Sequence, residues 1–173
     1  MGPGNSWWLF NGVNYIKAKA TILKLRMKIE KKNYFWHEKN LAQLTDAEWE
    51  SLCDGCARCC LHKLEDEDTG EIFFTRIACR LLDIPSRRCA RYANRCELVE
   101  GCLDLRAGFS QFHWLPSTCA YRLLADGKGL PKWHPLVCGN SLDILKAGIG
   151  VSFFAIAESP SLDPSDFVVE WLV

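Results

Sequence analysis

Four cysteines within eight residues constrain this chain more than any other feature of its sequence. They form the run CDGCARCC, in which Cys53, Cys56 and Cys59 repeat a C-x2-C spacing and Cys60 follows directly. Two thiolates at that spacing can turn onto one ion, and Gly55 permits the backbone conformation that such a turn needs. Because adjacent side chains usually point in different directions, we expect Cys60 to serve a second ion or to bridge two ions.

The chain has ten cysteines in 173 residues, a density that indicates either disulfides or metal. The apolar patch Trp7–Phe10 is too short for the core of a secretory signal, and the basic stretch follows it instead of preceding it. The apolar stretch Ala147–Ala157 is too short to span a membrane and predicts a buried strand. We therefore predict a cytoplasmic protein with no membrane span, whose reduced thiols bind metal.

The identity of the metal is less constrained, because soft thiolates suit zinc, copper(I) and iron–sulfur centres alike. The iron–sulfur run C-x2-C-x2-C-x3-C-P is absent, since Cys60 and Leu61 follow Cys59 directly. We favour zinc, with iron or an iron–sulfur cluster as the alternative. A buried or disulfide-bonded cysteine stays an open alternative for the downstream cysteines, and it is the favoured interpretation for Cys96 and Cys138.

Two histidines and one acidic stretch are further candidates for ligands or for acid–base groups. His62 lies two residues beyond Cys60, and His134 lies in a Trp-His-Pro loop. We favour a packed or hydrogen-bonded role for both. The acidic stretch Glu65–Asp68 could bind a hard cation, although a solvated loop is the favoured interpretation.

Charge divides the chain into a basic leader, residues 1–32, and a cysteine-cluster metal-binding domain, residues 33–173. The leader has no cysteine, holds seven of the 21 basic residues, and alternates from Leu23 to Glu30 as a strand would. It is either a basic arm for a membrane or nucleic acid or, as we favour, a non-native leader before Met27. The remaining 14 basic and 20 acidic residues give no electrostatic reason to expect nucleic-acid binding.

A short helix is predicted directly before the cysteine run. Thr45 and Glu48 fit the N-cap and N3 positions of a capping box, and the helix is expected to end near Leu52. Cys53 therefore follows an ordered element.

Further along the chain, we predict a short strand at Glu71–Phe74, a helix at Thr75–Leu82 and a buried strand at Val151–Ala157. Ser117 or Thr118 is expected to cap a helix that runs to Asp126. Cys119 would then lie near a helix N-terminus, which favours a thiolate. These elements predict a small, mainly α-helical α+β domain with irregular loops tied together by metal.

The run CDGCARCCLHKLEDEDTGEIFFTRIACRLL resembles the YcgN-like branch of the CxxCxxCC family, which comprises small bacterial proteins described as zinc- or iron-chelating. The likeness continues through TDAEWESLC and WLPSTCAYRLLADGKGLPKWHPL and covers about residues 35–160. His62 and His134 fall on family positions, whereas Cys96 and Cys138 do not. The resemblance implies no catalytic activity. It implies a set of eight ligands, which suits two four-ligand sites or one binuclear site: Cys53, Cys56, Cys59, Cys60, Cys79, Cys89, Cys102 and Cys119.

Within this set we expect the partners of Cys60 to come from Cys79, Cys89, Cys102 and Cys119, with Cys119 as the best of them. The sequence thus predicts a metal-binding protein of unestablished role. One alternative is an iron or iron–sulfur redox enzyme or electron carrier. The other is a metal-stabilised adaptor that binds a protein partner through its aromatic surface.

Overall fold

A computed structural model of the chain describes residues 34–107 and 109–171. The basic leader and its expected strand lie outside these residues. The chain divides into two compact units, Met1–Glu38 and Lys39–Val173. In the first unit the described residues form helix α1 (Phe35–Glu38). The ring of Trp36 in this helix stacks on the ring of Tyr34 just before it, with their centroids 4.4 Å apart.

The second unit is built from short elements. Its helices are α2 (Asp46–Ser51), α3 (Arg95–Leu98), α4 (Ala120–Ala125), α5 (Pro135–Cys138) and α6 (Asp143–Lys146). Its strands are β1 (Leu61–Glu65), β2 (Ile72–Ala78), β3 (Leu82–Asp83), β4 (Arg88–Cys89) and β5 (Ile156–Ala157). Short 3-10 helices lie at Leu41–Gln43, Arg58–Cys60, Tyr92–Asn94, Phe109–Trp114, Val151–Phe153 and Pro164–Phe167.

A three-stranded sheet lies directly after the cysteine run. Strand β2 is central: it pairs antiparallel with β1, where Leu61 faces Ala78, and parallel with β5, where Ile77 faces Ile156. The exposed turn between β1 and β2 contains Asp66–Gly70, so Asp66–Asp68 of the acidic stretch lie in a solvated loop as favoured, while Glu65 ends β1. Strands β3 and β4 form a separate antiparallel hairpin in which Leu82 faces Cys89.

The sheet packs around a small hydrophobic cluster that includes one residue of the cysteine run. The buried members of the cluster are Ala57, Leu61, Phe74, Ala78 and Val151. Burial of apolar side chains contributes most of the stability of a domain of this size. Because Ala57 belongs to this cluster, the middle of the cysteine run is anchored in the core.

The segment from Cys79 to Ala107 contrasts with the rest of the unit. Among its residues no side chain is buried, although the segment carries Cys79, Cys89, Cys96 and Cys102. Its regular structure amounts to β3, β4, α3 and one 3-10 turn. Hydrophobic burial therefore does little to fix this segment.

Three local predictions are wrong. The expected helix Thr75–Leu82 is instead the continuation of β2 to Ala78, because Thr75 and Ile77 are β-branched and buried in the sheet. The expected strand Val151–Ala157 begins as a 3-10 turn, and only Ile156–Ala157 is extended. The N-cap of α4 is Cys119, not Ser117 or Thr118.

The mixed α+β class is confirmed, since helices and strands are both present. A mainly helical architecture is not evident, because every described helix has six residues or fewer. No helix in the described part of the chain has the length and apolar character needed to cross a membrane.

Candidate metal centre

Helix α2 fixes the start of the cysteine run, as the sequence predicts. The Thr45 hydroxyl accepts the N–H of Glu48 at 3.3 Å, and the Glu48 carboxylate accepts the N–H of Thr45 at 2.9 Å, which completes the capping box. The C-cap is Leu52. Cys53 is therefore the first residue beyond a capped helix.

Between Cys53 and Cys60 the chain makes two tight turns. Asp54 Oδ1 accepts the N–H of Cys56 at 3.0 Å, and Gly55 adopts a φ of +74°. Ala57 has a φ of +62°, in the left-handed region that costs an alanine about 1 kcal/mol. Since Ala57 is also buried in the core cluster, packing offsets this strain.

His134 holds the residue before Cys53. Its side chain is fully buried, and Nε2 donates to the carbonyl of Leu52 at 3.0 Å, while Nδ1 accepts the N–H of Leu136 at 3.1 Å. Both ring nitrogens are occupied by backbone groups. The packed, hydrogen-bonded role that the sequence favoured for His134 is confirmed.

The carbonyls within the run are held by distant segments. Arg87 Nε donates to the carbonyl of Gly55 at 2.9 Å, and the N–H of Val151 donates to the carbonyl of Cys56 at 3.1 Å. Gly150 allows this approach, because a Cβ there would lie only 3.0 Å from the Arg87 side chain. These bonds fix the backbone of the run without any contribution from the sulfur atoms.

Arg58 connects the run to the same distant loop. Its side chain is buried, and Nε and Nη2 donate to the carbonyls of Ile149 (2.7 Å) and Gly148 (3.3 Å). Arg58 therefore points away from the thiols and acts as a structural tie.

A single cavity of about 550 Å³ brings the cysteines together. Cys96 and Cys138 are not on its wall. The cysteines that line it are Cys53, Cys56, Cys59, Cys60, Cys79, Cys89, Cys102 and Cys119. The structure thus gathers in one place the eight cysteines that the family resemblance implies.

The adjacent thiols of Cys59 and Cys60 lie 4.0 Å apart, sulfur to sulfur. A thiol of Cys60 that donates to the Cys59 sulfur lowers the pKa of Cys59 to about 7 and raises that of Cys60. The pair therefore releases its first proton more readily than an isolated thiol.

Burial acts in the opposite direction on the other thiols. It raises the pKa of Cys56 and Cys53, and it raises the pKa of Cys102 to about 11. It also raises the pKa of Cys119 to about 12, which outweighs the backbone N–H groups of α4. The N–H groups at the start of α4 lower the pKa of Cys119 as the sequence suggests, but desolvation is the larger effect in this short helix.

Two charged groups on the cavity wall were not among the predicted site residues. Lys63 Nζ donates to the carbonyls of Cys59 (2.8 Å) and Leu61 (2.9 Å), and burial lowers the pKa of this lysine. Asp54 Oδ2 is buried and has no hydrogen-bond partner among the described residues. The Asp-Gly turn signals Asp54 in the sequence, whereas nothing local to Lys63 distinguishes it.

His62 also lies on the cavity wall, where Nε2 is 2.7 Å from Glu158 Oε2. Arg80 Nη1 lies 4.0 Å from the other oxygen of Glu158. The hydrogen-bonded role favoured for His62 is observed. Glu158 could not be found from the sequence, since it is 96 residues away.

The chemistry of the donors fits a soft metal ion, since eight thiols share one cavity. As the side chains are placed, no three Cys, His, Asp or Glu groups within residues 34–107 and 109–171 are close enough together to hold an ion. Chelation therefore requires the thiols to move closer together, by rotation of cysteine side chains and by movement of the loosely packed segment from Cys79 to Ala107.

Comparison with known proteins agrees with this arrangement. Residues 52–120 match the sequence model of the CxxCxxCC family, whose description is "putative zinc- or iron-chelating domain". The UPF0260 protein YcgN of Escherichia coli O6:K15:H31 is 52% identical over 136 residues, which cover 78% of this chain and 89% of the relative. The chain belongs to the CxxCxxCC family.

A second relative of this CxxCxxCC protein, a UPF0260 protein of Klebsiella pneumoniae strain 342, is 52% identical over 136 residues, or 78% of this chain and 92% of the relative. No solved structure matches the chain. The matched segment 52–120 contains all eight cavity cysteines and ends just after Cys119.

Proposed function

We propose that this protein binds zinc, or alternatively iron, through the thiolates of its eight cavity cysteines. The observation that carries the proposal is the gathering of these eight on the wall of one cavity; Cys138 does not line it, and Cys96 is linked to it through a hydrogen bond with Cys102. Buried cysteines that served only as packing would have no reason to face a common cavity. We place the protein in the cytoplasm, where thiols stay reduced.

The poorly packed segment from Cys79 to Ala107 supports the same proposal. Three of the cavity cysteines, Cys79, Cys89 and Cys102, lie in it, and none of its side chains is buried. A bound ion cross-links such a segment and supplies folding free energy that its side chains do not.

Anaerobic purification followed by elemental analysis and absorption spectroscopy tests the proposal. We expect at least one tightly held ion per chain. Zinc gives a colourless protein, whereas an iron–sulfur cluster gives strong visible absorption and would favour the redox alternative.

Cys56→Ser and Cys138→Ser form a matched pair for this experiment. Cys56 lies on the cavity wall, and Cys138 is exposed and donates to the carbonyls of Trp133 and Asn140. We expect Cys56→Ser to lose metal and Cys138→Ser to keep it. A folded protein that contains no metal, with all thiols titrating alike, would refute the proposal.

A further inference from the structure

We propose that the eight cysteines form two four-thiolate sites that meet between Cys59 and Cys60, an inference that rests on the proposed function. The first site would consist of Cys53, Cys56, Cys59 and Cys119. The second would consist of Cys60, Cys79, Cys89 and Cys102.

Contacts between helices α2 and α4 bring the first four cysteines together. Tyr121 in α4 donates its hydroxyl to the carbonyl of Trp49 in α2 at 2.9 Å, and the two rings pack with centroids 4.7 Å apart. Cys53 follows α2, and Cys119 is the N-cap of α4. The contact therefore sets Cys119 beside the start of the cysteine run.

The electrostatic neighbours of these thiols agree with that placement. The charge of Cys59 acts on the thiols of Cys53, Cys56 and Cys119, and the charge of Cys119 acts in turn on Cys56. This grouping differs from the sequence-based expectation that Cys119 is the best partner for Cys60.

Sheet and hairpin pairing bring the second four together. The N–H of Cys79 donates to the carbonyl of Cys60 at 2.9 Å, immediately beside the pair of Leu61 and Ala78. The β3–β4 hairpin then returns the chain so that Cys89 faces Leu82. Cys79 is therefore close to Cys60 along the sheet, and the hairpin brings Cys89 back to Leu82, whose N–H donates to the carbonyl of Cys79 at 2.9 Å.

The charges near Cys60 place two of these cysteines beside it. After Cys59, the thiols that act electrostatically on Cys60 are Cys79 and Cys89. Cys102 is affected by its hydrogen-bonded neighbour Cys96 and, more weakly, by Cys79. The ammonium of Lys63 is subject to the charges of Cys59, Cys60, Cys102 and Cys79, so it offsets negative charge where the two sites meet.

The Cys59–Cys60 separation does not by itself decide the division. Two sulfurs on one tetrahedral zinc are roughly 3.8 Å apart when Zn–S bonds are about 2.3 Å long. The observed 4.0 Å therefore suits one shared ion as well as two adjoining ions. The elements that carry the other six cysteines decide it. Cys53, Cys56 and Cys119 belong to the end of α2, the cysteine run and the start of α4, whereas Cys79, Cys89 and Cys102 belong to the segment that follows β2.

Pairs of cysteine variants test the division, with zinc and cobalt(II) as the probe ions. We expect two ions per wild-type chain, and about half of that for Cys119→Ser or Cys89→Ser. The double variant Cys53→Ser/Cys119→Ser should lose no more than either single variant, because both residues serve one site. Cys60→Ser/Cys119→Ser should lose both ions, and Cys138→Ser should lose none.

Cobalt(II) reports the geometry of the site that remains. In Cys119→Ser the thiolate-to-cobalt charge-transfer absorption should fall to about half, while the tetrahedral ligand-field bands persist. Those bands also show that the variant is folded around its second site.

Two results would overturn the division and leave the proposed function standing. If Cys60→Ser/Cys119→Ser loses one ion and Cys53→Ser/Cys119→Ser loses two, Cys119 belongs with Cys60. If any single variant loses all metal, the eight thiolates form one shared cluster. A wild-type protein that is folded and metal-free would instead refute the proposed function itself.

Discussion

The imidazole of His134 is enclosed completely, and both of its nitrogens bind backbone groups. Its replacement by alanine removes the donor to Leu52, the acceptor for Leu136 and the packing of the ring. We expect His134→Ala to lower the free energy of unfolding by about 3 kcal/mol, as measured in urea. His113 is exposed, and His113→Ala should change it by less than about 0.5 kcal/mol.

The same histidine makes stability depend on pH. Burial lowers the pKa of His134 below its ordinary value of 6.5, so the unfolded chain takes up this proton at a higher pH than the folded protein. The stability that neutral His134 contributes is complete above pH 6.5, and it is lost as the pH falls through the pKa of His134 in the folded protein.

Unfolding free energies of the wild type and His134→Gln, compared between about pH 7 and about pH 5, isolate this effect. The difference in unfolding free energy in favour of the wild type should shrink as the pH falls, because only the wild type has this histidine. The thiols are the same in both proteins, so their titration cancels in the comparison. A difference that stays constant over this range would mean that the pKa of His134 is the same in the folded and the unfolded protein.

At the scale of elements, the capping box of α2 positions Cys53. Thr45→Ala removes the acceptor for the N–H of Glu48 and should lower the free energy of unfolding by about 1 kcal/mol. Thr45→Ser keeps the hydroxyl and should be nearly neutral. Metal content should survive in both, because His134 still holds the carbonyl of Leu52. Loss of metal in Thr45→Ala would show that α2 alone fixes Cys53.

Elements with local signals were predictable from the sequence, and those that depend on distant partners were not. The capping box of α2 and the end of α4 before Gly127 need only nearby residues, and both are observed. The residues 75–78 were predicted as helix because the sequence alone does not show that β1 and β5 flank them. Strand pairing overrides weak helix propensity there.

The candidate site follows the same rule. The four cysteines of the run are a local signal, and the family resemblance supplied the other four. The ties to Arg87 and Ile149 were not predictable, because they join residues 32 and 91 positions apart in the chain. The grouping of Cys119 with Cys53 that we propose could not be predicted, since only the packing of Tyr121 on Trp49 shows where α4 lies.

At the scale of the whole molecule, removal of metal should affect the second unit unevenly. Strands β1 and β2 surround the buried cluster, whereas the segment from Cys79 to Ala107 has no buried side chain. With a chelator under reducing conditions, we expect amide hydrogen exchange to accelerate in that segment while β1 and β2 stay protected. Equal acceleration throughout would show that the core also depends on metal.

The long-range ties of the cysteine run also set an order of events during synthesis. Leu52, just before the run, leaves the ribosome 82 residues before its partner His134. Arg58, within the run, leaves it 91 residues before its partner Ile149. At roughly 5–20 residues per second, this gap lasts about 4–20 seconds. During that interval the nascent thiols lack the backbone supports found in the finished fold. We therefore expect stable metal loading to follow completion of the chain, and the newly made thiols to depend on the reducing power of the cell until then.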